Sequence, residues 1–257
     1  MVKCRDIVEF LRSEISETEQ DSWDNSGVQI AIDDRKVSSV LFALSLSSKV
    51  VKEAIEKEVD MVITHHPITI APIRRIDISV FPDKFFYLLM KNDISVYSLH
   101  TNLDVSLYGP TAIIGELIGL KSISCLVDSG VPYGICGAVS PLTQIELLRK
   151  LNSTLPKDVV RVVNFKPEKK VGRVSICSGS GGSLVSLAAK KSELYITGDL
   201  KYHDAELAIE LDLTVFDMGH FGTEKLFAVK LEQLLKQKFP EITFLFAESE
   251  KSPFEVV

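Results

Sequence analysis

Apolar and polar residues follow one another along the chain in blocks that predict short buried strands separated by amphipathic helices. The clearest case is an apolar run at 37–46, a segment with helical spacing at 48–59 and a second apolar run at 60–64. A helical pattern at 81–93 and an apolar run at 94–99 continue this order. Strands that alternate with helices are typical of βαβ units, so the pattern predicts an α/β fold with helices covering a parallel sheet.

Two adjacent histidines, His65 and His66, follow the apolar run Met61–Thr64, and Pro67 prevents that strand from continuing. In an open parallel sheet, ligands bind where the carboxyl ends of the strands meet. Neighbouring side chains of a strand point to opposite faces, but a bend allows both rings to face one cavity. A histidine pair in a solvated loop is the other interpretation, and the spacing alone does not separate the two.

Other strand ends carry similar residues. The apolar run at 94–99 leads to His100 and Asp104, and an apolar run that ends at Met218 leads to His220 and Glu224. His220 and Glu224 are four residues apart, so a helix would place them on the same side. Glu224 is equally consistent with an acidic residue in a first helical turn, where the helix dipole favours a negative charge.

Together these strand ends offer five nitrogen or oxygen donors. The donors are His65, His66, Asp104, His220 and Glu224. This mixture suits Zn, Mn, Fe, Ni or Co, and it exceeds what one closed tetrahedral site requires. Five donors are sufficient for two divalent ions about 3.5–4 Å apart, which would lower the pKa of a bound water and supply a hydroxide nucleophile.

The segment from 124 to 214 has a different character and predicts a second, smaller α/β unit. It contains the run Cys177–Ser183, which is rich in glycine and serine and connects a predicted strand to a predicted helix. Such a run is either a tight connecting turn or a weak cradle for an anion. A second polar segment, Trp23–Gly27, holds the single tryptophan and is either a structural turn or a loop that lines a pocket.

Composition narrows the class of protein. The 257 residues are 46% hydrophobic, the net charge is −6, and no basic stripe indicates binding to nucleic acid. No apolar run approaches the roughly 18 residues that span a membrane. The first segment reads as an amphipathic helix, not as a signal or transit peptide. The four cysteines lack C-x-x-C spacing. We therefore expect a cytoplasmic protein with reduced thiols.

Four motifs resemble the NIF-three-like family, whose members are often labelled GTP cyclohydrolase I type 2 homologues. In chain order they are VITHHP, LHTNLDV, YITGDLKYHDAELA and DMGHFGTEK. The resemblance covers essentially the whole chain. It implies a site for two metal ions at the five donors named above, and ring-shaped homohexamers built as trimers of dimers.

The resemblance also implies two α/β domains with layered sheets and helices. Residues 1–123 plus 215–257 would form the metal-binding domain, and 124–214 would be a smaller domain inserted between its two parts. His100 and His203 match family positions near the cavity, where they would contact the substrate or support the metal ligands, against the alternative of a packing role. Asn25 is a further candidate of this kind.

Three functions fit these features. The leading hypothesis is a metal-dependent hydrolase in which metal-bound hydroxide attacks a nucleotide-like or other small substrate, with Glu224 as a catalytic residue and GTP ring opening as its narrow form. The second is a metal carrier or assembly factor without catalysis. The third is an interaction scaffold in which the metals only brace the fold.

Overall fold

The computed structural model of the protein describes residues 1–32, 34–128 and 130–255. Its helices are α1 (Cys4–Glu14), α2 (Ser48–Glu56), α3 (Asp83–Lys91), α4 (Thr101–Asp104), α5 (Pro110–Ile118), α6 (Gln144–Thr154), α7 (Val185–Lys191), α8 (Tyr202–Glu210), α9 (His220–Glu224) and α10 (Phe227–Lys238). Its strands are β1 (Gly27–Ile30), β2 (Ser39–Ala43), β3 (Met61–Thr64), β4 (Ser95–Ser98), β5 (Lys121–Cys125), β6 (Ile135–Thr143), β7 (Arg161–Val163), β8 (Lys170–Ile176), β9 (Leu194–Thr197), β10 (Thr214–Asp217) and β11 (Thr243–Phe246). The predicted α/β class is confirmed.

The described chain divides into two compact units. The first contains Met1–Leu103 and Ala228–Lys251, and the second contains Asp104–Phe227 with the described residues from Ser252 onward. The predicted domains, 1–123 plus 215–257 and 124–214, have different bounds, and they include residues 33, 129, 256 and 257, which lie outside the described residues.

Three elements account for this difference in the bounds. Helix α5 packs against α6, α9, β6 and β8, and strand β10 pairs with both β7 and β9, so α5, α9 and β10 belong to the second unit. The chain returns to the first unit only at α10 and β11.

The first unit is built on a sheet in the order β1–β4–β3–β2–β11. Strands β4, β3, β2 and β11 are parallel neighbours, as the βαβ pattern predicts, and β1 adds an antiparallel edge. Every residue of β3 and β4 is buried. Apolar side chains of α2 and α3 pack against the sheet in one core, which includes Val50, Leu89, Val62 and Val96.

The second unit is built on a mixed sheet in the order β5–β6–β8–β9–β10–β7. The neighbouring pairs β8–β9 and β9–β10 are parallel, and the pairs β5–β6, β6–β8 and β10–β7 are antiparallel. Adjacent residues of a strand face opposite sides of a sheet. Accordingly Ile196 of β9 lies in the core formed with α5 and α6, and its neighbour Tyr195 lies in the core formed with α7 and α8.

Local sequence signals set several helix ends. Thr143 accepts a hydrogen bond from the backbone N–H of Glu146, and the Glu146 side chain accepts one from the backbone N–H of Thr143 in return, which begins α6. Gly119 ends α5 with a φ of 75°, a left-handed conformation that glycine adopts without steric cost. Among the described residues, no helix has the length and apolar composition that crossing a membrane requires.

Candidate metal centre

Three histidines of the first unit lie at the carboxyl edge of its parallel strands. His65 and His66 follow β3, and His100 follows β4. The backbone N–H groups of His65 and His66 donate to the carbonyl oxygens of Ala43, the last residue of β2, and of Leu44, at 3.3 and 2.9 Å, so the loop continues the pairing of the sheet. The sheet register therefore fixes where the three side chains emerge.

The three imidazole rings form a close group. Ring centroids are 5.0 Å apart for His65 and His66, 5.3 Å for His65 and His100, and 5.5 Å for His66 and His100. One potential ligand atom of each ring lies within 4.8 Å of the others, a spacing that can accommodate a metal ion. The structure thus places His100 beside the predicted ligand pair.

Each ring is oriented by a partner at Nδ1. His65 Nδ1 donates to the carbonyl oxygen of Leu99 at 2.7 Å, His66 Nδ1 lies 2.6 Å from Ser45 Oγ, and His100 Nδ1 lies 2.7 Å from Asp24 Oδ1. When Nδ1 donates a proton, Nε2 carries the lone pair that a metal requires. Metal-binding histidines are commonly held in this way by a carbonyl or carboxylate.

Asp24 is the best-supported of these partners. Its Oδ2 accepts hydrogen bonds from Ser26 Oγ and from both the backbone N–H and the hydroxyl of Thr101, at 2.6–3.0 Å. Burial raises the pKa of Asp24, but the bonds from His100, Thr101 and Ser26 outweigh it and bring the pKa far below its usual range. Asp24 is therefore a carboxylate that holds His100 in one orientation, and the sequence analysis did not identify it.

The second unit carries its own set of donors, Asp104, His220 and Glu224. His220 Nε2 lies 2.9 Å from Glu224 Oε2, because residues four apart on α9 share a face. One carboxylate oxygen of Asp104 lies within 4.8 Å of one of Glu224. The Glu224 side chain is only 5% exposed, so its carboxylate is largely shielded from water.

The charges around His220 favour a cation. Burial lowers the pKa of His220, but the hydrogen bond and charge of Glu224, together with those of Asp199, outweigh burial and raise the pKa to about 9. Asp199 Oδ2 lies 3.5 Å from His220 Nδ1. Burial, with the charges of Asp104 and Glu224, also raises the pKa of the Cys177 thiol to about 12. The second unit therefore concentrates negative charge around these donors.

The glycine-serine run of the second unit packs directly on the acidic donors. Gly179 has a φ of 59°, and a Cβ placed there would lie 1.8 Å from Glu224 Oε1. Thr223 Oγ1 accepts a hydrogen bond from the Gly179 N–H at 3.0 Å and donates one to the Gly219 carbonyl oxygen at 2.9 Å. The run is thus a close-packed turn that positions Glu224, and the sequence signal for it was the density of glycine after β8.

The remaining candidates lie elsewhere. His203 is on α8 with its side chain 90% exposed, and it pairs with Glu206 at 3.0 Å. Asn25 is exposed beside Asp24 and donates from Nδ2 to the Thr69 carbonyl oxygen at 2.7 Å. It lies on the wall of a cleft together with Trp23 and Asp24, so the first three residues of the segment Trp23–Gly27 line a pocket.

The donors fit a divalent metal. Imidazole nitrogens and carboxylate oxygens are the ligands that Zn, Mn, Fe, Ni and Co accept. The bonds at Nδ1 of His65 and His100 supply the oriented tautomers that coordination needs, and the three histidines lie within 4.8 Å of one another. In the second unit Glu224 lies within 4.8 Å of His220 and of Asp104. The histidine group is therefore suited to hold a metal ion, and the second unit offers carboxylate donors beside an imidazole.

An α/β protein with two mixed sheets and clustered histidine and carboxylate donors belongs to the class of proteins with a candidate metal site. Comparison with known proteins assigns the family. The model of the Duf34/NIF3 (NGG1p interacting factor 3) family matches residues 2–253, and the chain belongs to this family.

The relatives are named in similar terms. A GTP cyclohydrolase 1 type 2 homolog of Streptococcus pneumoniae is 33% identical over 90% of this chain and 91% of its own. Reduced HcgD from Methanocaldococcus jannaschii has a TM-score of 0.86 and 29% identity over 96% of this chain and 98% of its own. A Bacillus cereus protein related to NIF3 shares the fold, with a TM-score of 0.90 and 20% identity over 100% of this chain and 99% of its own.

Proposed function

We propose that the protein is a metal-dependent hydrolase that uses two divalent ions to act on a nucleotide-like or other small substrate. The ligands in this proposal are His65, His66, Asp104, His220 and Glu224. That the donor sets of the two units serve one centre is part of the proposal. The observation that carries it is the oriented histidine group, because hydrogen bonds at Nδ1 prepare imidazoles for coordination.

Residues of the chain orient the proposed ligands and hold the acidic donor Glu224 in place. When bound, divalent ions would supply Lewis acidity and make a bound water acidic near neutral pH. Asp24 orients His100, and Ser45 orients His66. Glu224 directs one carboxylate oxygen to His220 Nε2 and packs the other against Gly179, so it would hold a divalent ion beside His220.

The names of the relatives support a nucleotide as substrate. One relative, from Helicobacter pylori, carries the name GTP cyclohydrolase 1 type 2 and is 28% identical over 93% of this chain and 92% of its own. GTP ring opening is the narrow form of the proposal.

We propose a cytoplasmic location for the same protein, since its four cysteines are free thiols.

The proposal is tested with Zn²⁺-loaded protein and a panel of nucleotides that includes GTP. We expect hydrolysis that is lost on chelation, restored by Zn²⁺, and at least about a hundredfold slower in Glu224→Ala. Glu206→Ala, which changes an exposed glutamate of the same unit, is the matched control and should keep full activity. Turnover that chelation leaves unchanged would reject the proposal, whereas Zn²⁺ binding with transfer to an acceptor protein and no turnover would favour a carrier.

A further inference from the structure

An open cleft of about 610 Å³ lies in the first unit beside the histidine group. One wall is formed by the residues 22–25, 28 and 29 and the other by the residues 69–73, and Phe86 also lines the cleft. Pockets for small ligands are typically about 300–1,000 Å³ and combine apolar walls with a few fixed polar groups. The cleft has the size of such a pocket.

Apolar side chains line the cleft and remain partly open to water. Trp23 is 53% exposed, Ile70 is 44% exposed and Ile73 is 40% exposed. Large apolar side chains that are exposed together in a concave surface indicate a ligand site. Their contact with water is unfavourable, and a bound ligand would remove it. The indole of Trp23 offers a flat face on which a planar ring can stack.

Two amide side chains provide fixed polar groups. Asn25 Nδ2 donates to the Thr69 carbonyl oxygen at 2.7 Å, and Gln29 Nε2 donates to the Asn25 carbonyl oxygen at 2.7 Å. Gln29 Oε1 accepts from the backbone N–H of Ile68 at 3.2 Å. These bonds connect the two walls and fix the Asn25 amide without using its side-chain oxygen. An oriented amide of this kind can read the hydrogen-bonding edge of a ring.

The cleft is coupled to the histidine group through consecutive residues. The Trp23 ring is 5.9 Å from the His100 ring in an edge-to-face arrangement. The next residue, Asp24, holds His100 Nδ1, and Asn25 lies on the cleft wall. A ring that stacks on Trp23 would therefore place its substituents next to the histidines.

We propose that this cleft binds a planar heteroaromatic ring, such as a purine, that forms part of the substrate. Apolar side chains would contact the faces of the ring, and Asn25 would hydrogen-bond to its edge. The role as a substrate subsite rests on the proposed function, but binding of the ring depends only on residues of the first unit.

The test uses Trp23 itself, because the single tryptophan makes the fluorescence of the protein a direct reporter. Guanosine and adenosine are titrated into chelated protein and into Zn²⁺-loaded protein, with excitation at 295 nm and calorimetry in parallel. We expect saturable quenching in both forms, and no effect of ribose 5-phosphate, which lacks the ring.

Two variants act on different walls. Asn25→Ala removes the amide and should weaken binding by about three- to tenfold, the effect of one hydrogen bond. Ala71→Phe fills the cleft and should abolish binding. Asn152→Ala, at an exposed asparagine of α6, is the control that should bind as wild type. Thermal unfolding of each variant establishes that it is folded.

The possible results separate the two proposals. Zn²⁺ binding without saturable binding of either nucleoside would overturn this inference and leave the metal centre intact. Nucleoside binding that both Asn25→Ala and Ala71→Phe leave unchanged would also overturn it, because the ring would bind elsewhere. Nucleoside binding that the variants weaken, in a protein that takes up no Zn²⁺, would support the cleft and reject the proposed function.

Discussion

His100 illustrates how a residue near a strand end acquires a defined role. The sequence suggested contact with substrate, support of the ligands or packing, and the structure places it within the histidine group with its Nδ1 held by Asp24. The sequence predicted the doublet and the acids at strand ends because strands and their polar termini are local patterns. It did not predict Asp24, because that contact joins residues 76 positions apart.

Removal of the charge on Asp24 should loosen metal binding. In Asp24→Asn one accepting oxygen remains, so the amide cannot accept both from His100 Nδ1 and from the donors of Thr101 and Ser26. Asp24 acts on the proposed histidine ligands of the first unit only through His100, so we expect the Zn²⁺ affinity measured by calorimetry to fall about tenfold, the lower end of the range that loss of a direct partner of a ligand gives. Asp34→Asn, at a carboxylate 77% exposed, is the control. Unchanged Zn²⁺ affinity in Asp24→Asn would show that the orientation of His100 does not matter.

A methyl group at Gly179 should disturb Glu224. The added Cβ of Gly179→Ala would overlap Glu224 Oε1, so the carboxylate must move, and we expect Zn²⁺ affinity to fall by at least about tenfold. Gly119→Ala separates this effect from backbone strain. Gly119 is also left-handed, but nothing lies within 4 Å of its Cβ position. That variant should lose only about 1–2 kcal/mol of stability and keep its affinity. Equal affinities in the two variants would contradict the packing argument.

At the level of elements, the strand order explains which predictions succeeded. The βαβ pattern correctly predicted parallel neighbours from β2 to β4, because consecutive strands joined by a helix are local in sequence. It did not predict the antiparallel edges β1 and β7, whose pairing depends on distant partners. After Met218 the chain forms two helices, α9 and α10, with a break between Glu224 and Phe227 that local propensity did not indicate.

Glu53 connects helix α2 to the segment Glu248–Ser249, which follows β11. It lies on α2, and its carboxylate accepts the backbone N–H groups of Glu248 and Ser249 at 3.0 and 2.9 Å and pairs with Lys57 at 2.8 Å. Burial raises the pKa of Glu53, but these bonds outweigh it and lower the pKa to about 2 from an ordinary 4.5. The carboxylate therefore stabilises the folded state fully above pH 4.5.

Its contribution should disappear as the pH falls from 4.5 through 2, where the folded state becomes protonated. At pH 7, Glu53→Gln should lose about 1–3 kcal/mol of stability, and near pH 2 the variant and wild type should converge. Urea unfolding followed by Trp23 fluorescence measures this in the first unit. Glu56→Gln, at a side chain 63% exposed on the same helix, should change little. A difference that stays constant from pH 7 to pH 2 would contradict this role of the charge.

At the scale of the whole molecule, the sequence indicated that the chain has two parts, but the bounds of the compact units differ from the predicted ones. The bounds differ because the prediction followed a change of composition near residue 124, whereas packing places α5 and β10 with the second unit.

The assembly is proposed as a homohexamer, a trimer of dimers. Native mass spectrometry should then give six times the 28.5 kDa mass of the chain, and a monomer at micromolar concentration would refute this assembly.

The most direct test of the metal centre is anomalous diffraction at the zinc edge from crystals grown with Zn²⁺. The account predicts two peaks per chain, about 3.5–4 Å apart, within coordination distance of His65, His66, Asp104, His220 and Glu224. Peaks only on the protein surface, or none near His65 and His66, would contradict it.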